Sequence, residues 1–206
     1  AVGVLVPALK GSAVVKGRSR YADKLGEGIA SENITIIDQN DAPKGLNRAP
    51  FDGEGVTSKR ILLIEDGILR CFLHNLYTAR KRGDESTANA GRGGFRGTPE
   101  VSASNLYIEP GNETQETLIE GVDEGLFVTG LMGVHTADPI SGDFSFGAEG
   151  LVIRKGALAE SFRGVTIAGN IGGILQGIVS VGSDLRFFGS IGAPSVLISN
   201  VMVSGT

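Results

Sequence analysis

Cysteine and histidine are nearly absent from this sequence. One cysteine, Cys71, and two histidines, His74 and His135, occur in 206 residues. A single cysteine excludes an intrachain disulfide and fits a reducing compartment, so a cytoplasmic location is expected. Neither histidine is followed by glutamate, which excludes the H-E-x-x-H metal helix. Basic charge is outweighed by acid: the net charge is −4. No basic field is present to hold a polyanion, so nucleic acid is a poor expected partner. No apolar run approaches the ~18–20 residues of a membrane span. No signal pattern is legible at the N-terminus, and the sequons at Asn33 and Asn112 read as chance matches. Gly-Lys never occurs and neither does G-x-G-x-x-G, so the usual phosphate-cradling loops are missing. The first residue is Ala, not Met, as expected of a piece of a longer chain.

Glycine is plentiful. Its 32 copies are about twice the usual share and are dispersed among apolar runs. That pattern predicts a β-rich fold with many turns and bulges, not disorder. The length suffices for a substantial core without metal or disulfide. Strands and short helices appear without regular βαβ alternation. The expected class is therefore α+β with a mostly antiparallel sheet, in a single domain over 1–206.

The strongest pattern lies in FVTGLMGVHTADPISGDFSFGAEGLVI, 127–153. Phe144, Phe146, Ala148 and Val152 alternate with Asp143, Ser145 and Glu149, as in a strand with one buried face. Before it, His135 to Pro139 is polar and irregular, a loop or edge suited to a partner or peptide. Asp66-Gly67 between two apolar runs predicts a type I′ hairpin. Lys155-Gly156 sits in a weaker copy of the same pattern, a hint of internal duplication.

Tyr21, Leu25 and Ile29 recur every four residues and predict a helix over 18–30. The spacing gives a strand over 33–37, a long loop over 38–56 and helical turns over 74–81. A mobile loop containing GRGGFRG is expected over 83–98, and a strand over 101–108. Asn112 with Gln115 reads as a capping box for a helix that includes Leu118, Ile119, Val122 and Leu126. Further strands are expected over 162–168, 185–188 and 196–203. Asn170 should open a short helix over 171–179, with Gly173 and Gly177 leaving a flat face.

No motif supplies a self-contained active site. Cys71, His74 and His135 could meet at a metal only through tertiary placement. Ser145 in GDFSFG and Ser190 in FGSIG both miss the G-x-S-x-G elbow. A Ser145, His135 and Asp143 triad depends on geometry that spacing does not give. Cys71 reads as a small apolar side chain. The pairs Asp52 with Glu54 and Asp123 with Glu124 read as solvated surface. Arg92 to Arg96 resembles a single RGG segment, more in keeping with a flexible loop than with nucleic-acid binding.

Longer blocks carry more. HTADPISGDFSFGAEG at 135–150, FLHNLYTARKRG at 72–83 and VSASNLYIEPG at 101–111 resemble the TldE/PmbA family. So do RGVTIAGN at 163–170 and VGSDLRFFGSIGAPSVLI at 181–198. The resemblance covers nearly the whole chain and implies the C-terminal domain of such a protein, with an N-terminal α/β domain outside this sequence. It also implies a two-subunit peptidase. The TldD-type partner carries H-E-x-x-x-H on a helix and a later cysteine ligand, and the TldE type is its metal-free companion. In TldD, the segment matching KGRSRYADKLGE at 16–27 follows that motif. Counting back places the motif's histidines and glutamate on Val2, Pro7 and Gly3, none a zinc ligand or a base. No cysteine falls near 189–194, where the partner's ligand loop would lie. The resemblance thus implies no cofactor in this chain, with zinc only in the TldD-type subunit.

The substrate implied is an unfolded peptide, added as a strand to a sheet edge and handled in peptide maturation or degradation. His135, Thr136, Asp143 and Ser145 are the candidate substrate-contacting residues, and a homodimer in isolation is possible. The alternatives are an autonomous hydrolase using Ser145 or Cys71, and a modulator of DNA gyrase acting through 91–97.

Overall fold

The computed structural model describes residues 2–42 and 44–205. The chain opens with α1 (Val2–Leu5), a 3-10 turn (Val6–Leu9) and α2 (Gly11–Val15). This short run buries Leu5, Val6, Ala8 and Leu9 and leaves Gly3 and Pro7 exposed. The helix expected over 18–30 does not form; the segment is a series of turns. Gly17 and Gly26 adopt φ of 64° and 84°, which a helix cannot absorb. Tyr21 and Ile29 are buried, but Leu25, the middle member of the supposed stripe, is 50% exposed.

The strands β1 (Ile36–Gln39), β2 (Arg60–Glu65) and β3 (Ile68–Leu69) follow. Strand β1 therefore starts later than expected and runs into the supposed loop. Asp66 and Gly67 have φ of 48° and 77°, the two left-handed positions of a type I′ turn. Next come α3 (Leu76–Arg82), β4 (Ala90–Gly91), β5 (Glu100–Val101) and β6 (Leu106–Ile108). The strand expected over 101–108 is thus two strands, and the 83–98 segment carries β4. Asn75 caps α3 by accepting from Thr78 N at 2.9 Å.

Helix α4 (Gln115–Glu120) is capped by Thr114, not Asn112. It ends before Leu126, which belongs to β7 (Glu124–Met132). A 3-10 turn over Val134–Thr136 leads to the long hairpin of β8 (Asp143–Arg154) and β9 (Ala157–Asn170). Its turn, Lys155-Gly156, repeats the type I′ geometry with φ of 49° and 77°. After α5 (Ile171–Gln176) come β10 (Ile178–Val181), β11 (Arg186–Phe188), β12 (Ile191–Ala193), β13 (Val196–Ile198) and β14 (Met202–Ser204). The strand expected over 196–203 is two strands in different sheets.

The fold is α+β. Its largest sheet runs β11-β12-β6-β1-β2-β3, all antiparallel except β12 with β6. A second sheet runs β14-β9-β8-β7, antiparallel throughout. The two hairpins share a turn type but sit in sheets of different strand order. Phe144, Phe146 and Ala148 are buried on one face of β8, as the alternation required. A register shift between Leu151 and Ile153 then changes the phase, so Ile153 is buried and Val152 only half-buried. One core cluster joins the N-terminal run, the larger sheet, Phe144 with Phe146, and Ile171 with Leu175 of α5. Leu9, Ile34, Ile36, Leu63, Leu69 and Leu106 have no exposed surface. Each such side chain stabilises by ~1.5–3 kcal/mol, so the core fixes where the loops between its strands emerge.

Candidate functional site

Three segments converge at one end of the four-stranded sheet: the turns of 18–30, the loop from Gly133 to Gly142, and the junction of β9 with α5. The loop is internally bonded. Asp138 Oδ1 accepts from Ile140 N at 2.7 Å and Ser141 N at 3.0 Å, an Asx turn around Pro139. Thr136 Oγ1 donates to Gly133 O at 2.8 Å. Gly142 closes it with φ of 78°. That left-handed backbone favours glycine, and a Cβ there would displace the Arg20 guanidinium.

Arg20 and Asn170 pin this loop from outside. Arg20 donates from Nη1 to Ser141 O and from Nη2 to Asn170 Oδ1 at 2.7 Å. Asn170 Nδ2 donates to Ser141 O at 2.9 Å and Asp143 Oδ1 at 2.7 Å, while its Oδ1 also caps α5 through Gly172 N at 2.9 Å. The bond from Asn170, with help from Ser141, holds the Asp143 carboxyl below its ordinary value. Arg20 stacks over the Tyr21 ring, 5.2 Å from its centroid. Tyr21 is buried, which raises its phenol pKa against the pull of Arg20, and its hydroxyl has no hydrogen-bond partner among the described residues.

The four residues singled out in the sequence lie along this loop and the start of β8. His135 and Thr136 are exposed in the 3-10 turn, and Asp143 and Ser145 are exposed on the outer face of β8. Among the described residues no hydrogen bond joins His135, Ser145 and Asp143, so a catalytic triad is not assembled. Beside Ser145 the outer face is floored by Gly147, Thr166 and Ala168. The chain's two methionines, Met132 and Met202, flank that floor from the outer strands, both exposed. Arg20 and Asn170 were missed in the sequence as site residues. A signal was present: Asn170 ends a block that carries the family resemblance, and Arg20 lies in the 16–27 segment from which the motif positions were counted.

The other candidates are structural. Cys71 donates to Leu62 O at 3.2 Å, and burial pushes its thiol up to about 11. His74 is 2% exposed and shares a hydrogen bond with Thr78 Oγ1 at 3.1 Å. Among the described residues no three His, Cys, Asp or Glu side chains are grouped as a metal would need. The positions that the count assigns to a zinc motif lie in α1 and the turn after it, and Val, Gly and Pro offer no ligand atom there. The residues present do not fit zinc. Asp52 and Glu54 are not solvated surface, as expected, but backbone acceptors. Asp52 takes Glu54 N and Val56 N at 2.9 Å and Ala90 N at 3.0 Å, and Glu54 takes Leu76 N at 2.8 Å. In the RGG segment, Arg92 donates to Gly53 O at 2.7 Å and Gly97 O at 3.0 Å. Phe95 there is 87% exposed beneath Arg96. No helix of the described residues is long and apolar enough to cross a membrane.

A mostly antiparallel α+β chain with this braced loop falls within a metallopeptidase family. Residues 1–205 match the family model of the PmbA/TldA metallopeptidase C-terminal domain. The chain belongs to the PmbA/TldD family. It is 34% identical to metalloprotease PmbA of Escherichia coli O157:H7, over 98% of this chain and 43% of that protein. It is 36% identical to a metalloprotease of Methanothermobacter thermautotrophicus, over 94% of this chain and 45% of that one. The solved structure of TldE from Thermococcus kodakarensis superposes with a TM-score of 0.91 at 33% identity, covering 98% of this chain and 46% of that one. A Thermotoga maritima protein, provisionally described as a modulator of a DNA gyrase, superposes at 0.92 and 37% identity, covering 98% and 46%. The chain therefore spans just under half the length of these relatives.

Proposed function

We propose that this chain is the C-terminal domain of a metal-free, TldE-type subunit. It would complete a peptidase whose zinc sits in a TldD-type partner, within the cytoplasm. The observation that carries the reading is the absence of any ligand side chain at Val2, Gly3 and Pro7, on the short helical run beside the braced loop. Likeness to a solved TldE supports it. The substrate is an unfolded peptide. The outer edge of β7 is the strand we assign to receive it: β7 is the last strand of its sheet and runs directly into Gly133 and the loop. Backbone pairing at such an edge reads extended chain and little side-chain identity.

The test is cleavage of an unfolded peptide by the full-length protein and its TldD-type relative, with each omitted in turn. Hydrolysis is expected only when both are present. Hydrolysis by this protein alone would refute the reading. A second reading, action on gyrase or nucleic acid through 91–97, has the exposed Phe95 and Arg96 in its favour. It requires DNA binding that weakens steeply with salt.

A further inference from the structure

We propose that the cleft between the 18–30 turns and α5 is a carboxylate-binding site, taking the C-terminus of a peptide or an acidic side chain. The proposal rests on the peptide-handling function above and names the group of the substrate that this subunit grips.

The cleft holds about 220 Å³, room for a carboxylate and the residue that bears it. Arg20 and Lys24 line it together with Asn170 and Gln176. Among the described residues no Asp or Glu lines it, although acids outnumber bases in the chain. Asp23 and Glu27 neighbour Lys24 in sequence, yet neither borders the cleft. Asp143 is linked to Arg20 through Asn170 and, among the described residues, not by an ion pair.

Arg20 is held in place at the cleft by its bonds to Ser141 O and Asn170 Oδ1, which leaves its other N–H groups uncommitted. A guanidinium fixed in this way can present a planar fork to a carboxylate. Lys24 is exposed and makes no side-chain hydrogen bond or ion pair among the described residues, so its ammonium is available as the second cation. Tyr21 also lines the cleft, beneath the Arg20 guanidinium. The space beside Gly28 and Gly173 is open, since a Cβ at either would meet nothing within 4 Å. The set therefore supplies two positive charges, the Gln176 amide and open space, and it lies beside the loop where the peptide would leave β7.

The test needs no partner and no hydrolysis. The folded protein is titrated with a short unstructured peptide carrying an N-terminal fluorophore, read by anisotropy. The peptide is compared as free acid, as C-terminal amide, and as amide with an internal glutamate. The free acid is expected to bind about ten-fold more tightly than the amide, the worth of one charge-assisted hydrogen bond. If the internal glutamate restores the lost affinity, the carboxylate taken is a side chain; if it does not, it is the C-terminus. In either case Lys24→Gln should remove most of the preference, with a thermal melt confirming that this exposed substitution leaves the fold intact. Equal behaviour of all the peptides, including no binding at all, would overturn the proposal. So would an undiminished preference in Lys24→Gln. Either failure leaves the cleavage test of the two-subunit reading untouched.

Discussion

Removing the Arg20 side chain should loosen the 133–142 loop without unfolding the protein. Arg20 makes two hydrogen bonds, to Ser141 O and Asn170 Oδ1, and covers the Tyr21 ring. A hydrogen bond from a charged donor is worth ~1.5–3 kcal/mol when buried. Arg20 is half-buried, so the lower end applies to each. The ring contact adds ~0.5–1 kcal/mol. Freeing the arginine side chain in the unfolded comparison returns up to ~2 kcal/mol of rotamer entropy. The net for Arg20→Ala is a loss of about 2 kcal/mol, or ~4–8 °C in melting temperature for a chain of this size. The local signature is sharper than the global one. Gly142 N donates to Asp138 O and Ile171 N to Gly142 O, both at 2.8 Å. Amide exchange at Gly142 and Ile171 should accelerate in the variant, while amides of β1 and β2 should change only by the global loss. Gly142→Ala should reproduce the pattern, because its new methyl would occupy the guanidinium's place. Combining Arg20→Ala with Asn170→Ala should cost less than the sum of the two, since they share partners. Unchanged exchange at Gly142 and Ile171 would refute the brace.

Three further outcomes follow from groups away from the loop. Asn105 is fully buried, donates to Gln39 O, Asn40 O and Asn47 O, and accepts from Asn47 N. Asn105→Asp should therefore destabilise by ~3 kcal/mol and by more than Asn105→Ala, because it sets carboxylate oxygens against carbonyls; chemical denaturation checks this. His74 has its pKa lowered, chiefly by burial, with Asp84 opposing and Arg82 assisting. A depressed folded-state value means full stability above the ordinary histidine pKa of ~6.5, lost as pH falls towards the folded value. Melting temperature should drop across that window, less in His74→Gln and more steeply in Asp84→Asn. The Cys71 thiol, at about 11, should resist iodoacetamide near pH 8 in the folded protein and react once unfolded, by mass spectrometry.

What the sequence disclosed was local chemistry. Asp66-Gly67 and Lys155-Gly156 revealed their hairpins because a type I′ turn is specified by its own two residues. Phe144, Phe146 and Ala148 revealed a half-buried strand for the same reason, until the register shift after Leu151. Asn170 was recognisable as a helix cap. The turns of 18–30 were misread because every-fourth-residue spacing is equally produced by turns that bury Tyr21 and Ile29. Only Gly26 and Gly28 within the segment argued otherwise. Pairings that join distant segments were not legible. The parallel contact of β12 with β6 brings Ile191 to Leu106, and no spacing rule encodes it. The brace is of that kind: Arg20 meets Ser141 and Asn170 across 121 and 150 residues. Loop residues such as His135 and Thr136 stood out by composition, whereas the cation that braces their loop did not.

We propose that this chain belongs to a subunit that binds no metal itself. Elemental analysis of the purified full-length protein, alone and after assembly with a TldD-type relative, tests it most directly. We expect no stoichiometric zinc in the isolated protein and zinc in the assembly at the partner's content. One zinc per chain in the isolated protein, retained through gel filtration, would contradict the claim.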